Sequence, residues 1–292
     1  MNLKKHALHL VLTSLFFMVF SVSIVQAEIT LCTPINQSQI PYTITTSGIY
    51  CLTSDLISSA ASGNVITINA NNVVLDLNDH RVSGFGAGSG TQAIGIYANQ
   101  EADVIVRNGT VRGFYYGVRL DDTSGTTSSE YIIENIRASK NTYYGIYAVG
   151  SWSQVRYNSV IQTGGSTVSG TVNAYGIYVQ GASARVRDNA VVKTIAQTGG
   201  TSYALYLDSA ASDSIVENNQ LSNPALASGT SYGVYVNSSN VLALDNKIFN
   251  MTNGLFFKDA TGIYKNNFAV QDTTPFTGGL AAPVSENNYN NP

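Results

Sequence analysis

The chain has 292 residues, with 15 Lys and Arg against 18 Asp and Glu, and only 11% of its side chains are charged. Two of the lysines lie in the first 27 residues, so the rest of the chain carries a net charge of −5, which excludes the basic footprint that nucleic acid binding requires. Gly, Asn, Ser, Thr and Tyr are abundant and Pro is scarce, a mix that suits many short strands joined by turns and hardly suits helices.

In chain order, residues 1–27 combine a basic start (Lys4, Lys5), an apolar run from Leu8 to Val25 and a small-residue exit at Val25-Gln26-Ala27. This reads as a cleaved secretory signal, the alternative being a membrane anchor. A secreted or periplasmic location follows. No later stretch is apolar enough to span a bilayer. Residues 28–64 are expected to cap the fold, and hold the chain's two cysteines, Cys32 and Cys51. In an oxidising compartment a disulfide is their natural pairing, the alternative being two free buried thiols. It would close a loop of about 20 residues, worth about 3 kcal/mol in the chain-entropy description.

From residue 65 to 274 a short phrase recurs: Ile94-Gly-Ile-Tyr97, Tyr116-Gly-Val-Arg119, Tyr144-Gly-Ile-Tyr147, Tyr175-Gly-Ile-Tyr178, Tyr203-Ala-Leu-Tyr206, Tyr232-Gly-Val-Tyr235 and Asn253-Gly-Leu-Phe256. Its spacing of two to three dozen residues marks a solenoid. An α-solenoid needs paired helices with apolar positions at 3.6 spacing. These units offer short alternating runs instead, such as Tyr175 to Val179 and Ala184 to Val186, broken by Gly, Asn and Ser. Each unit fits three short strands and their turns, one coil of a right-handed parallel β-helix of about eight coils with capped ends. A single coil cannot bury its own apolar face, so stability must come from stacking.

A second series follows the phrase in each unit: Asn158, Asn189, Asn219, Asn246 and Asn266, each with an apolar residue two positions on, and earlier Asn78, Asn108 and Asn135 with a slipped register. Asn tolerates the left-handed region and its amide can bond to a copy of itself one coil away, so this series is expected to be a turn with a stacked amide ladder. Insertions at Gly86–Thr91, Asp122–Ser129, Gly164–Gly170, Gly199–Ser202 and Ala225–Ser231 are expected to gather on one side of the coil. Residues 275–292 are expected to drape the last coil.

The segment Gly48-Ile-Tyr-Cys-Leu-Thr-Ser-Asp-Leu56, followed by Val65-Ile-Thr-Ile-Asn-Ala-Asn-Asn-Val-Val-Leu-Asp-Leu-Asn-Asp-His-Arg-Val-Ser-Gly84, resembles the N-terminal signature of bacterial β-helix proteins of the pectin-lyase-like superfamily. Asp79 stands where that pattern usually has Gly. The resemblance implies the fold but not the chemistry, because the scaffold hosts lyases, hydrolases, epimerases, phage spikes and adhesins alike.

Strand alternation places Ile96, Val118, Ile146, Ile177, Leu205, Val234 and Leu255 inside, and Tyr97, Arg119, Tyr147, Tyr178, Tyr206, Tyr235 and Phe256 outside. The outer tyrosines, Tyr97, Tyr147, Tyr178, Tyr206 and Tyr235, are the candidate binding residues for a polysaccharide or cell-surface glycan. Pyranose C–H faces could stack on them, with Asn99, Asp121, Gln180, Asp208 and Asn237 bonding hydroxyls. The plain alternative is rings on adjacent strands stabilising one another. Arg119 and Asp121 are the candidate catalytic pair, a cation and an acid on one face that a uronate lyase could use. The competing reading is an arginine packed between rings and paired to Asp121.

The clustered acids, Asn-Thr-Asp, Gly-His-Gly, Arg-Ile-Lys and Asp-Pro-His patterns that the resemblance would bring are missing, and His80, the one histidine after residue 27, reads as a turn residue. No phosphate loop or His/Cys metal cluster appears, so neither metal nor cofactor is expected. The sequence leans to a noncatalytic carbohydrate-binding or surface-interaction protein. The alternatives are a polysaccharide lyase or hydrolase and a structural spacer.

Overall fold

The computed structural model describes residues 31–122, 129–224, 229–258, 261–279 and 288–291. The expected leader over residues 1–27 lies outside the described residues. From Cys32 onward the described chain is all β apart from two short 3-10 turns, and the strands pair in parallel throughout. This is a right-handed parallel β-solenoid, as the sequence predicts.

One face of the coil is a sheet of ten strands: Tyr42–Ile44, Asn64–Ile68, Ile94–Asn99, Tyr116–Asp121, Tyr144–Val149, Ala174–Gln180, Ser202–Leu207, Ser231–Val236, Asn253–Phe257 and Thr274–Thr277. Seven of these carry the repeated phrase, close to the expected eight coils. We call this face the tyrosine sheet. The other two faces share one eighteen-strand sheet, joined because Val104–Arg112 and Ile132–Ser139 run unbroken across both. In later coils each long strand splits in two, as in Gln154–Arg156 followed by Ser159–Thr163. The expected cap segment is itself wound: Thr33–Ile35 pairs with Gly48–Leu52, and Tyr42–Ile44 with Asn64–Ile68. Cys32 and Cys51 form a disulfide, with Cα atoms 5.7 Å apart.

Register converts the repeat into columns. Tyr144 pairs with Tyr175, Ile146 with Ile177 and Tyr147 with Tyr178, and the pattern repeats coil after coil. The Ile96-to-Leu255 column is fully buried, and so is the next inward column, Ala98, Leu120, Ala148, Val179, Leu207, Val236 and Phe257. Each large aliphatic side chain so buried contributes roughly 1.5–3 kcal/mol, and stacking supplies the neighbours that a lone coil lacks.

The corners are turned by residues in the left-handed region. One column holds Asn72, Asp103, Glu130, Trp152, Ser183, Asp213 and Asn240, and the next holds Asn108, Asn135, Tyr157, Asp188, Asn218, Asp245 and Asn266, all with φ between 43° and 62°. Asn and Asp dominate because their short polar side chains tolerate this region. Asn78 and Asp79 take the same conformation in a tight turn that His80 closes by donating its N–H to the Leu77 carbonyl. Asp79 thus fills the place of the family's usual Gly without breaking the turn.

The amide ladder is present, with two corrections. It runs Asn158, Asn189, Asn219, Asn246, Asn267 and Asn288, each side-chain oxygen from Asn189 onward accepting from the Asn one coil earlier, while that of Asn158 accepts from the Ile136 N–H. Asn267, not Asn266, holds the fifth rung. Asn266 is the left-handed corner residue before it, and Asn108 and Asn135 belong to that corner column as well, which explains their slipped register. The left-handed strain therefore sits one residue before the ladder, leaving the rung free to point inward. Of the insertions, Gly86–Thr91, Gly164–Gly170 and Gly199–Ser202 each lead into a strand of the tyrosine sheet, while residues 123–128 and 225–228 of the other two lie outside the described residues.

Candidate functional site

The outer side of the tyrosine sheet carries two aromatic columns. Tyr147, Tyr178, Tyr206, Tyr235 and Phe256 stack face to face with centroids 4.8 to 5.3 Å apart and planes within 14° of parallel. Beside them Tyr116, Tyr144, Tyr175, Tyr203 and Tyr232 form a second stack at 4.6 to 5.4 Å. The two stacks meet edge to face, as in Tyr175 against Tyr178 at 86°. Offset and perpendicular contacts are the arrangements the ring quadrupole favours.

Strict alternation misses the second column, because it would send Tyr116, Tyr144, Tyr175, Tyr203 and Tyr232 inward with the isoleucines. The strand instead turns two consecutive residues inward, the glycine and the Ile, Val or Leu after it. A Cβ on Gly176 would lie 2.5 Å from the Ala204 carbonyl oxygen and from Val191 Cγ1. Glycine is what lets the backbone sink there and swing the preceding ring out. The signal was in the phrase: a large ring recurring just before a glycine is a poor tenant for a narrow interior.

The rings do not lie open. Tyr178 is 9% exposed and Tyr144 7%, and Tyr116, Tyr147, Tyr175 and Tyr206 are half-buried in a cluster separate from the core. Their faces are covered by neighbouring rings, so a ligand on this sheet would meet ring edges and phenolic hydroxyls. Burial, with the neighbouring phenols and carboxylates, pushes Tyr147 and Tyr203 up to about 12 and raises Tyr116, Tyr144, Tyr178 and Tyr206 as well. These hydroxyls stay protonated and remain hydrogen-bond donors at every physiological pH.

At the downstream edge of the columns lies the polar rim expected from the sequence. The Tyr178 hydroxyl donates to the Asp208 carboxylate and lies 3.1 Å from Gln180 Oε1. Asn237 donates to the other Asp208 oxygen at 3.2 Å. On the upstream side Tyr115 meets Thr171 at 2.8 Å, and the insertions touch one another where Thr167 N–H donates to the Ser89 carbonyl at 3.0 Å.

Arg119 interrupts the outer column between Tyr97 and Tyr147. Its Nε and Nη2 both donate to Asp121 Oδ2, at 3.1 and 2.5 Å, and the guanidinium lies 4.9 to 5.5 Å from the ring centres of Tyr97, Tyr116 and Tyr147. Asp121 is buried. The cation is thus neutralised by its own neighbour and enclosed by rings, the arrangement of a packed pair; a substrate carboxylate would have to displace Asp121.

A cleft of about 520 Å³ lies elsewhere, beside residues 57–65, lined among others by Gln37, Ile40, Pro41 and Ile57 and by no charged side chain. Among the described residues no three His, Cys, Asp or Glu gather as a metal site, and no helix is long and apolar enough to cross a membrane.

Residues 94–273 match the family described as the right-handed β-helix region. The chain has no match among curated proteins. Among solved structures it is similar to the Dettilon tailspike protein (gp208), with 13% identity and a TM-score of 0.59, over 86% of this chain and 51% of that one. The chain thus spans about half the length of that neighbour, and the likeness is one of fold. The matched stretch covers more than half of the sequence and coincides with the coils that carry the phrase, and the chain belongs to the right-handed β-helix family.

Proposed function

We propose that this protein is a noncatalytic, exported β-helix that binds a polysaccharide or a cell-surface glycan through the outer side of the tyrosine sheet. In this reading residues 1–27 are removed on export, 28–64 and 275–292 close the ends of the stack, and the coils between present the surface. The observation that carries it is the paired column of tyrosines, held in register over four coils, whose protonated hydroxyls run alongside Gln180, Asp208 and Asn237. A repeating row of donors and acceptors at one interstrand spacing suits a ligand that is itself a repeating chain of hydroxyls. The fold neighbour is a tailspike by name, which accords with a role at a surface.

Affinity electrophoresis through gels containing neutral and anionic polysaccharides tests this. The wild type should be retarded by at least one of them. A double Tyr147→Phe, Tyr206→Phe variant, which keeps the stacked rings and removes two hydroxyls, should be retarded less at an unchanged melting temperature. Migration unaffected by every polymer would overturn the reading.

A further inference from the structure

We propose that Trp152 is the platform of a second glycan contact, one that takes a negatively charged sugar unit whose anion pairs with Arg185. This rests on the glycan-binding reading above and adds to it both a place and a ligand chemistry.

Trp152 is the only tryptophan in the chain. It is 51% exposed, and no ring or cation packs on it among the described residues. Its backbone is in the left-handed region, φ 58°, in a corner column that Asn, Asp, Glu and Ser otherwise fill. A bulky residue there is strained, and strain of this kind persists where a side chain is held for use. Trp152 is not among the buried core residues.

The strand that follows, Gln154–Arg156, ends at Tyr157, which is left-handed too and 49% exposed. Register sets Gln154 beside Arg185 and Arg156 beside Arg187. Three arginines therefore face outward between two aromatic corners, but they are not equivalent. Arg156 is paired to Glu134 at 2.8 Å, and Arg187 to Asp188 at 2.8 Å while it also lies over Tyr157. Arg185 is exposed, and its column neighbours, Gln154 and Ile215, carry no charge. It is the cation of this face left to pair with something else.

The spacing fits one sugar ring. Trp152 lies two residues before Gln154, the register partner of Arg185, so chain reach and one interstrand step keep their Cα atoms within about 9 Å of each other. A pyranose lying on the indole would thus reach the guanidinium with an equatorial carboxylate or sulfate, and Gln154, beside Arg185, whose Oε1 already accepts from Arg156 at 2.9 Å, would offer its side-chain N–H to a hydroxyl. Asp213 and Glu217 stand two positions either side of Ile215, the residue beside Arg185, but Asp213 already accepts from Asn240 at 3.2 Å and Glu217 lies in register with Arg187, and acids beyond about 10 Å are screened at moderate salt. Trp152 follows Val149, the last residue of its tyrosine-sheet strand, by three residues, so the contact lies around the corner from the tyrosine columns.

The lone tryptophan is its own reporter. The full chain is titrated with plain dextran, carboxymethyl dextran and dextran sulfate, which share a backbone and differ in charge, while Trp152 emission and its quenching by acrylamide are followed. The proposal predicts that at least one charged dextran shields Trp152 and plain dextran does not, with shielding lost as salt rises. Arg185→Gln should weaken binding of that charged dextran about tenfold, the worth of one charge-assisted hydrogen bond.

Trp152→Asn places a residue suited to the left-handed region, so its melting temperature should equal or exceed that of the wild type while its gel retardation by the charged polymer falls. Retardation of the wild type with unchanged Trp152 emission, or wild-type retardation of both variants, would overturn this site and leave the tyrosine-sheet reading standing. No retardation by any polymer would overturn both.

Discussion

Asn189 Oδ1 accepts two hydrogen bonds from Asn158 one coil away, from its backbone N–H and from its side-chain amide, each at 3.0 Å. Asn189 in turn donates to the Val155 carbonyl at 2.8 Å and to Asn219 at 3.0 Å. Both polar atoms of the buried amide are thereby satisfied, by asparagines one coil either side and by a backbone carbonyl. Asn189→Ala would strand the Asn158 N–H in the interior and remove the rung's bonds to Asn219 and Val155, at about 3 kcal/mol. The same logic separates two adjacent residues at the last rungs. Asn267→Ala should lower the melting temperature by several degrees, whereas Asn266→Gly, at an exposed left-handed corner, should leave it nearly unchanged. Thermal denaturation of the two variants side by side decides whether the rung is assigned to the right asparagine.

Tyr178 sits between Tyr147 and Tyr206 in one stack and against Tyr144 and Tyr175 in the other. Tyr178→Phe keeps every ring contact and loses only the hydroxyl's contacts with Asp208 and Gln180, a cost of about 1 kcal/mol. Tyr178→Ala opens a gap in the middle of the cluster, and about 3 kcal/mol is expected. Chemical denaturation should rank the variants in that order. Alanine substitution on this sheet reports stability before it reports binding, so phenylalanine is the substitution that tests the hydroxyls.

Asp272 occupies a place that asparagine fills in other coils. Asn141 and Asn223 each accept a backbone N–H one coil earlier, from Phe114 and Thr194 at 3.1 Å, and Asp272 accepts from Met251 at 2.6 Å. Its other oxygen is buried and unpaired. Burial outweighs the Met251 bond and pushes the carboxyl up to about 6. A folded value above the unfolded one means the stabilisation is complete below about pH 4 and is lost as pH rises through about 6. Asp272→Asn should therefore stabilise the protein by about 2 kcal/mol at pH 8 and by much less at pH 4.5. Melting curves at the two pH values check the sign.

The fold was legible because the phrase repeats with its apolar positions in step, and parallel stacking turns such a repeat into columns with no further information. The Gln180, Asp208 and Asn237 rim followed from the same logic. Individual positions escape the sequence wherever the backbone departs from ideal alternation. The two inward residues at Gly176 and Ile177 hid the Tyr175 column. The left-handed corner shifted the ladder from Asn266 to Asn267, because both asparagines have an apolar residue two positions on, Phe268 and Ala269, and only backbone conformation tells them apart. Trp152 carried no periodic signal at all, since its column is defined by φ and not by residue type.

The claim that most needs testing is where a glycan touches the coil. Hydroxyl-radical footprinting of the wild type, alone and with the polymer that retards it, reads Tyr147, Tyr206 and Trp152 in one experiment, with Tyr264 as an internal control. The account predicts protection of Tyr147 and Tyr206 for any retained polymer, of Trp152 as well for a charged one, and none at Tyr264. Protection confined to the cleft beside residues 57–65, with all three aromatics oxidised as in the free protein, would contradict it.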